Sequence, residues 1–290
     1  MKAELLNAAL PASSLGEGPS WDPVAQRLSW VDITGRVIHR FHPASGKADK
    51  CRTPSTVGFA ALAESGDYVA GLQDGLYRVN FDTGAIKALA CPDYADRNNR
   101  FNDGKCDRRG RLWAGTMNDI DHKKPSGAFY RFDKRGLHVQ ETGIFISNGL
   151  GWSPDNKTMY YTDTGRDTIW KYDYDIAEGA ATNRRVFVDL SGKGHPDGLC
   201  VDSKGRVLAA QWGSWCVKIF TPDGKPDGQI DVAAPQVSCC ALGGADFKTL
   251  FITTASIGLS QQKMKEAPLA GQVFAVQVDV PGLPEPRFRE

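Results

Sequence analysis

One strand-and-turn unit recurs along the chain, and that recurrence limits the fold more than any other feature. Aligned on the residue three before a turn Gly or Asn, with slippage allowed, the copies are anchored at Asp22, Ala63, Asp107, Ser153, Asp202 and Gly244. The separations are 41, 44, 46, 49 and 42 residues. The clearest copies read Asp107-Arg-Arg-Gly-Arg-Leu-Trp-Ala-Gly and Asp202-Ser-Lys-Gly-Arg-Val-Leu-Ala-Ala. Repeats of this length, each holding about four short strands, are the signature of a β-propeller.

The strands can be followed within a repeat. Leu112 lies in a run predicted as strand over 111–116, followed by 127–132 and 138–141; the next two repeats give 158–162, 168–172, 185–188 and then 206–211, 216–220, 228–231. Turns such as Phe81-Asp82-Thr83-Gly84 and Pro222-Asp223-Gly224 separate them, because Gly accepts the positive φ that tight turns need. The pattern predicts an all-β fold, a six-bladed β-propeller forming one domain over 1–290. Its ring closes by pairing an N-terminal strand, Glu4–Leu10, with Gln272–Val278 of the last blade, which removes exposed strand edges. A two-sheet sandwich is the competing fold. A doubly wound α/β fold lacks the recurrent helical pattern it requires.

Composition excludes several functions. The 35 basic and 34 acidic residues leave a net charge of +1 with no basic run, so there is no footprint for nucleic acid. No apolar stretch approaches the ~20 residues of a membrane helix, and the start, Met1-Lys2-Ala3-Glu4-Leu5-Leu6, makes a poor secretory signal. The 7 cysteines include no C-x-x-C pair and read as small buried hydrophobes in a reducing cytoplasm. The expectation is a cytoplasmic protein, monomeric or weakly homo-oligomeric.

Five residues before the anchors stand Glu17, Gly58, Asn102, Asn148, Asp197 and Cys239. Four of these carry side-chain oxygens, and Gly follows Glu17, Asn148 and Asp197 directly. In a propeller this phase lies at the innermost strand, beside the central channel. Oxygens converging there suit a hard divalent cation, with the carboxylates of Glu17 and Asp197 and the amide of Asn148 leaving positions open for water and substrate. Asp and Asn before Gly are also ordinary turn formers; it is the shared phase that marks them. The two Asp-Thr-Gly triplets, at Asp82 and Asp163, sit at different phases and are not expected to meet as a protease dyad. No G-x-S-x-G elbow and no phosphate-binding loop occur.

Taken together, Leu15-Gly-Glu-Gly-Pro-Ser-Trp21, Asn99-Arg-Phe-Asn-Asp-Gly-Lys105, Gly110-Arg-Leu-Trp-Ala-Gly-Thr-Met117, Ser147-Asn-Gly-Leu150 and Pro196-Asp-Gly198 resemble the regucalcin-like, gluconolactonase and luciferin-regenerating-enzyme family. The resemblance spans nearly the whole chain. It implies a hydrolase that opens a sugar lactone with one divalent metal. It implies that Glu17, Asn148 and Asp197 ligate the metal, and that Arg100 and Asn102 contact substrate. An acidic substrate contact of the family falls near Met117-Asn118-Asp119-Ile120, where Asp119 is the acid available, so the sugar is left open. Asp103 is expected on the opposite face of its strand.

Lactone opening needs a polarised carbonyl, an activated water and a protonated ring alkoxide. Asp197 is the expected general base, in addition to its role as ligand. Calcium, zinc, manganese, magnesium and iron(II) all accept such donors to different degrees. Trp212 and Trp215 are candidate sugar-facing rings, and His195 a candidate for proton transfer. Residues 118–125 read as either a lid or a solvated loop. The rival functions are a metal- or ligand-binding propeller without turnover and a metal-dependent esterase of aryl or organophosphate esters.

Overall fold

The computed structural model describes residues 1–289; Glu290, the last residue of the predicted domain, lies outside the described residues. The fold is all-β and propeller-type. Four sheets have four strands each, and an eight-stranded sheet holds residues of the last third of the chain together with the N-terminus. The two halves of that larger sheet meet at a single pair, Trp212 opposite Gln236. Glu4 and Leu5 pair antiparallel with Ala275 and Phe274. Glu4–Leu5 is thus a strand, shorter than the predicted Glu4–Leu10, since the residues after it form turns.

Each repeat supplies one innermost strand: Gly16–Asp22, Val57–Leu62, Asn99–Cys106, Ser147–Trp152, His195–Val201 and Gln236–Gly243. Each of these strands packs on the next, and the last returns to the first. Burial falls outward within a repeat. The second strand of the third repeat, Leu112–Asn118, is buried at every position, whereas the outermost strand of the first, Lys47–Arg52, is exposed except at Cys51. Apolar cores fill the wedges between adjacent sheets. Phe59, Phe101, Leu112 and Tyr130 join the second and third repeats, and Trp21, Trp30 and Phe41 join Phe251 and Val273 between the sixth and the first.

The recurring Asp-x-x-Gly-Arg signature has a physical role. Asp107 Oδ1 accepts from the Arg111 backbone N–H at 3.1 Å while its Oδ2 accepts from Arg111 Nε at 2.6 Å. Asp202 and Arg206 repeat this at 3.0 and 2.7 Å. In both, the Gly N–H closes the turn on the Asp carbonyl. One carboxylate thereby satisfies the turn's donors and fixes the approach to the second strand.

Residues 281–289 run beneath the inner strands. Ser203 N–H donates to Pro281 O, Arg287 pairs with Asp22 at 2.7 Å, Phe288 exchanges backbone bonds with Leu62 and Glu64, and Arg289 N–H donates to Gly110 O. Glu285 lies 3.4 Å from the ammonium of Lys105, which extends from the third inner strand. The chain's α-helix, Gln261–Glu266, is capped by Ser260, whose hydroxyl accepts from Lys263 N–H.

Six of the cysteines are buried and Cys91 is exposed, all of them free thiols. Among the described residues no helix is long and apolar enough to cross a membrane.

Candidate active site

Every inner strand carries a register shift at the same phase. The breaks fall between Glu17 and Ser20, Val57 and Phe59, Phe101 and Gly104, Asn148 and Leu150, Pro196 and Leu199, and Val237 and Cys239. A bulge adds a residue without a cross-strand partner and re-aims its side chain. The glycines that follow let neighbouring strands approach. A Cβ on Gly149 would lie 2.6 Å from both Asp197 O and Leu199 N, well inside contact distance. This is why the oxygen-bearing residues of the repeat share a phase and stand beside a glycine.

The side chains so aimed meet in one cavity of about 180 Å³. Glu17, Asn148 and Asp197 form its deep end, with exposures of 6%, 4% and 4%. Arg100, Asn102 and Thr164 line the polar wall, and Leu15, Ile33, Met117, Ile146 and Trp212 the apolar one. The predicted trio and Arg100 and Asn102 are thus gathered from four separate repeats.

The polar wall is internally fixed. Asn148 donates from Nδ2 to Thr164 Oγ1 at 2.8 Å, and Thr164 donates onward to Pro196 O at 2.7 Å. The Oδ1 of Asn148 accepts from Asn102 Nδ2 at 3.2 Å, and Asn102 also donates to Ser147 O. Arg100 donates from Nη1 to Asn102 Oδ1 at 2.6 Å and from Nε to Asp119 Oδ1 at 2.5 Å. Asp119 is therefore behind Arg100 and does not line the cavity. Its place is that of an anchor for the guanidinium.

The deep end is electrostatically unbalanced. Burial, with the charge of Asp103 added, pushes the Glu17 carboxyl up to about 8. Burial and then the Glu17 charge push Asp197 well above the usual carboxylate range. Asp197 Oδ1 is buried and has no hydrogen-bond partner. A buried acceptor without a partner costs roughly 1–3 kcal/mol. Two carboxylates and an amide oxygen that face one space fit a hard divalent cation, whose charge would let both acids ionise and give Asp197 Oδ1 a partner. No group of three or more His, Cys, Asp or Glu suited to a metal occurs among the described residues; the donor set here is a mixed one, with an amide as its third member.

Asp103 does not share this cavity with its neighbour Asn102. It lines a second one with Gly18, Lys105, Cys239 and Glu285. Its buried carboxyl is close enough for its charge to raise both Glu17 and Asp197. Thr164 was hidden inside the second Asp-Thr-Gly triplet, and the register that sets Asn148 opposite Thr162 is what delivers it.

The remaining candidates separate. Trp212 lines the cavity, while Trp215 sits in an exposed hairpin, 38% accessible. His195 is exposed and holds Asp167 at 2.6 Å on the rim rather than facing the cavity. The loop after Asn118 contributes His122 to the lining.

Residues 15–256 match the SMP-30/Gluconolactonase/LRE-like region family. The chain is 34% identical over 279 residues to the 6-deoxy-6-sulfogluconolactonase of Pseudomonas putida, covering 95% of each. It is likewise 34% identical over 279 residues to a pentonolactonase of Haloferax volcanii, covering 93% of each. The crystal structure of a calcium-binding regucalcin from Agrobacterium tumefaciens superimposes with a TM-score of 0.94 at 29% identity, over 100% of this chain and 98% of that one. With 242 of its residues inside the family match, the chain belongs to the SMP-30/gluconolactonase/LRE-like family.

Proposed function

We propose that this protein hydrolyses a sugar lactone to its aldonic acid with the help of one divalent cation held by Glu17, Asn148 and Asp197. The fold on which this rests is a six-unit ring spanning the chain as one domain, the eight-stranded sheet counting as two units and the N-terminal strand completing the last. The observation that carries the reading is the partnerless, buried Asp197 Oδ1 beside Glu17 at the end of a cavity that holds one small ring. The relatives named as lactonases support the reaction class. The calcium-binding relative supports the cation, and the all-oxygen donor set favours a hard one.

When bound, the cation would polarise the lactone carbonyl and acidify water. Asp197 takes the proton of the attacking water on the carboxylate oxygen not engaged as a ligand and returns it to the ring oxygen as the C–O bond breaks. Arg100 orients substrate: its Nε and Nη1 are held by Asp119 and Asn102, which leaves Nη2 to a hydroxyl or carbonyl of the ligand. Asn102 and Thr164 hold the Asn148 amide from either side, so its oxygen needs no rearrangement when a ligand arrives. The apolar wall shields the ring face and excludes water from the departing side.

The test is a pH-indicator assay against a panel of aldonolactones, corrected for spontaneous opening. Turnover should vanish with chelator and return on adding calcium, manganese, magnesium or zinc. Undiminished turnover in excess chelator would remove the cation from the reading, and no turnover of any lactone under any metal would remove the reaction.

A further inference from the structure

The cavity has a buried end and an open end, and the open end has its own polar group. Glu17, Asn148 and Asp197 are nearly inaccessible, as are Arg100 and Asn102, whereas His122 is exposed. His122 has no hydrogen-bond or ionic partner among the described residues. The loop that carries it is tied down. Asn118 Oδ1 accepts from the N–H groups of Ile120 and Asp121, and Asp121 Oδ1 accepts from Lys123 N–H. Ser126 Oγ donates to Asn99 Oδ1 at 2.7 Å, and Asn99 Nδ2 donates to Ser126 O. Lys124 pairs with Asp96. The other side chains of the loop point elsewhere: Asp119 is engaged by Arg100, and Ile120 is 77% exposed to solvent.

We infer that His122 is a specificity-determining residue that reads the hydroxylated exocyclic chain of the lactone. The inference rests on the lactonase reading, and it concerns the part of the substrate that does not react. A lactone whose carbonyl lies among the deep oxygens sends its exocyclic substituent toward the mouth, past Arg100 and Met117, to His122. An imidazole offers one donor and one acceptor, the same pair that a hydroxyl presents. A fixed loop lets that contact form with little ordering cost.

The experiment compares the parent, His122→Ala and His122→Gln on an aldonolactone with a hydroxylated side chain and on unsubstituted δ-valerolactone. Calorimetric titration with the corresponding aldonate and with 5-hydroxypentanoate supplies a binding readout. One hydrogen bond at a partly exposed site corresponds to about a tenfold change. The Ala variant should lose about tenfold in kcat/KM on the aldonolactone, chiefly through KM, and bind the aldonate about tenfold more weakly. It should match the parent on δ-valerolactone and 5-hydroxypentanoate. Gln, which keeps a donor and an acceptor, should recover part of the loss. Equal losses on both substrate types, or no loss on either, would overturn the role of His122 while leaving the lactonase reading intact. A parent that opens neither ring would overturn that reading and this inference with it.

Discussion

Asn102 donates its side-chain amide to the Oδ1 of Asn148, 3.2 Å away and 46 positions further along the chain. The bond ties one repeat to the next at the point where the cavity oxygens converge. Since Asn102 is itself gripped by Arg100, the orientation of a candidate ligand oxygen depends on a residue outside the ligand set. Replacing Asn102 by Ala should weaken divalent-cation binding about 10- to 100-fold, the usual effect of losing a residue that orients a ligand. Titration calorimetry on chelator-stripped protein measures it. Unchanged affinity would show that Asn148 holds its pose unaided.

Asp197→Asn keeps the shape and removes the base. Turnover should fall by at least about 10²-fold. The cation-free fold should be as stable as the parent or more so, because a carboxyl buried beside Glu17 is replaced by a neutral amide. Thermal melts alongside the lactone assay separate the two effects; a variant that lost stability in the cation-free state would contradict the unbalanced charge inferred for the deep end.

Gly149 leaves no room for a methyl group. A Cβ there would sit 2.6 Å from the backbone of the neighbouring strand at Asp197 and Leu199. Gly149→Ala should cost about 1–3 kcal/mol by overpacking, and it should displace Asp197 enough to depress turnover beyond the loss of folded protein. Urea unfolding gives the first quantity, and specific activity per folded molecule the second.

His39 lies in the first repeat, buried and stacked on Trp30 with ring centroids 4.8 Å apart. Burial drives its pKa down from 6.5 to about 4, against the pull of Asp32 and with the help of Lys50. The unfolded chain takes up this proton below about 6.5, the folded one only below about 4. Between those values the unfolded state binds more protons, so stability is complete above 6.5 and is lost as the pH falls toward 4. The contribution is about 3 kcal/mol. His39→Phe should flatten that part of the curve, as read from urea midpoints between pH 4 and 7. A parent and variant that lose stability in parallel would contradict it.

Phe288 is 3% exposed and stacks on Phe132 with ring centroids 5.6 Å apart. Its backbone is paired with Leu62 and Glu64. Phe288→Ala should cost about 3–5 kcal/mol, measurable by chemical unfolding, although the residue lies outside the repeats.

The repeat made the strands and the shared phase readable, because each copy must solve the same problem of a turn, a bulge and a close approach. Glu17, Asn102, Asn148 and Asp197 were visible for that reason. Thr164 was not, because it comes from the turn after the second strand of its repeat and carries no shared phase. His122 lies in a loop whose conformation depends on Asn118 and Asp121 capping backbone donors, and neither carries a repeat signature. The path of residues 281–289 across the inner strands obeys no period either; Glu285 meets Lys105 through tertiary packing alone.

The bulge present in every inner strand has an evolutionary consequence. Each oxygen at the deep end hangs from its own kink, on a strand whose register is set elsewhere by its own outer partners. A substitution at one kink swaps a single donor while the other five strands keep their places. On the lactonase reading proposed above, a scaffold built this way would exchange one preferred ion or sugar for another in single steps, with its other strands untouched.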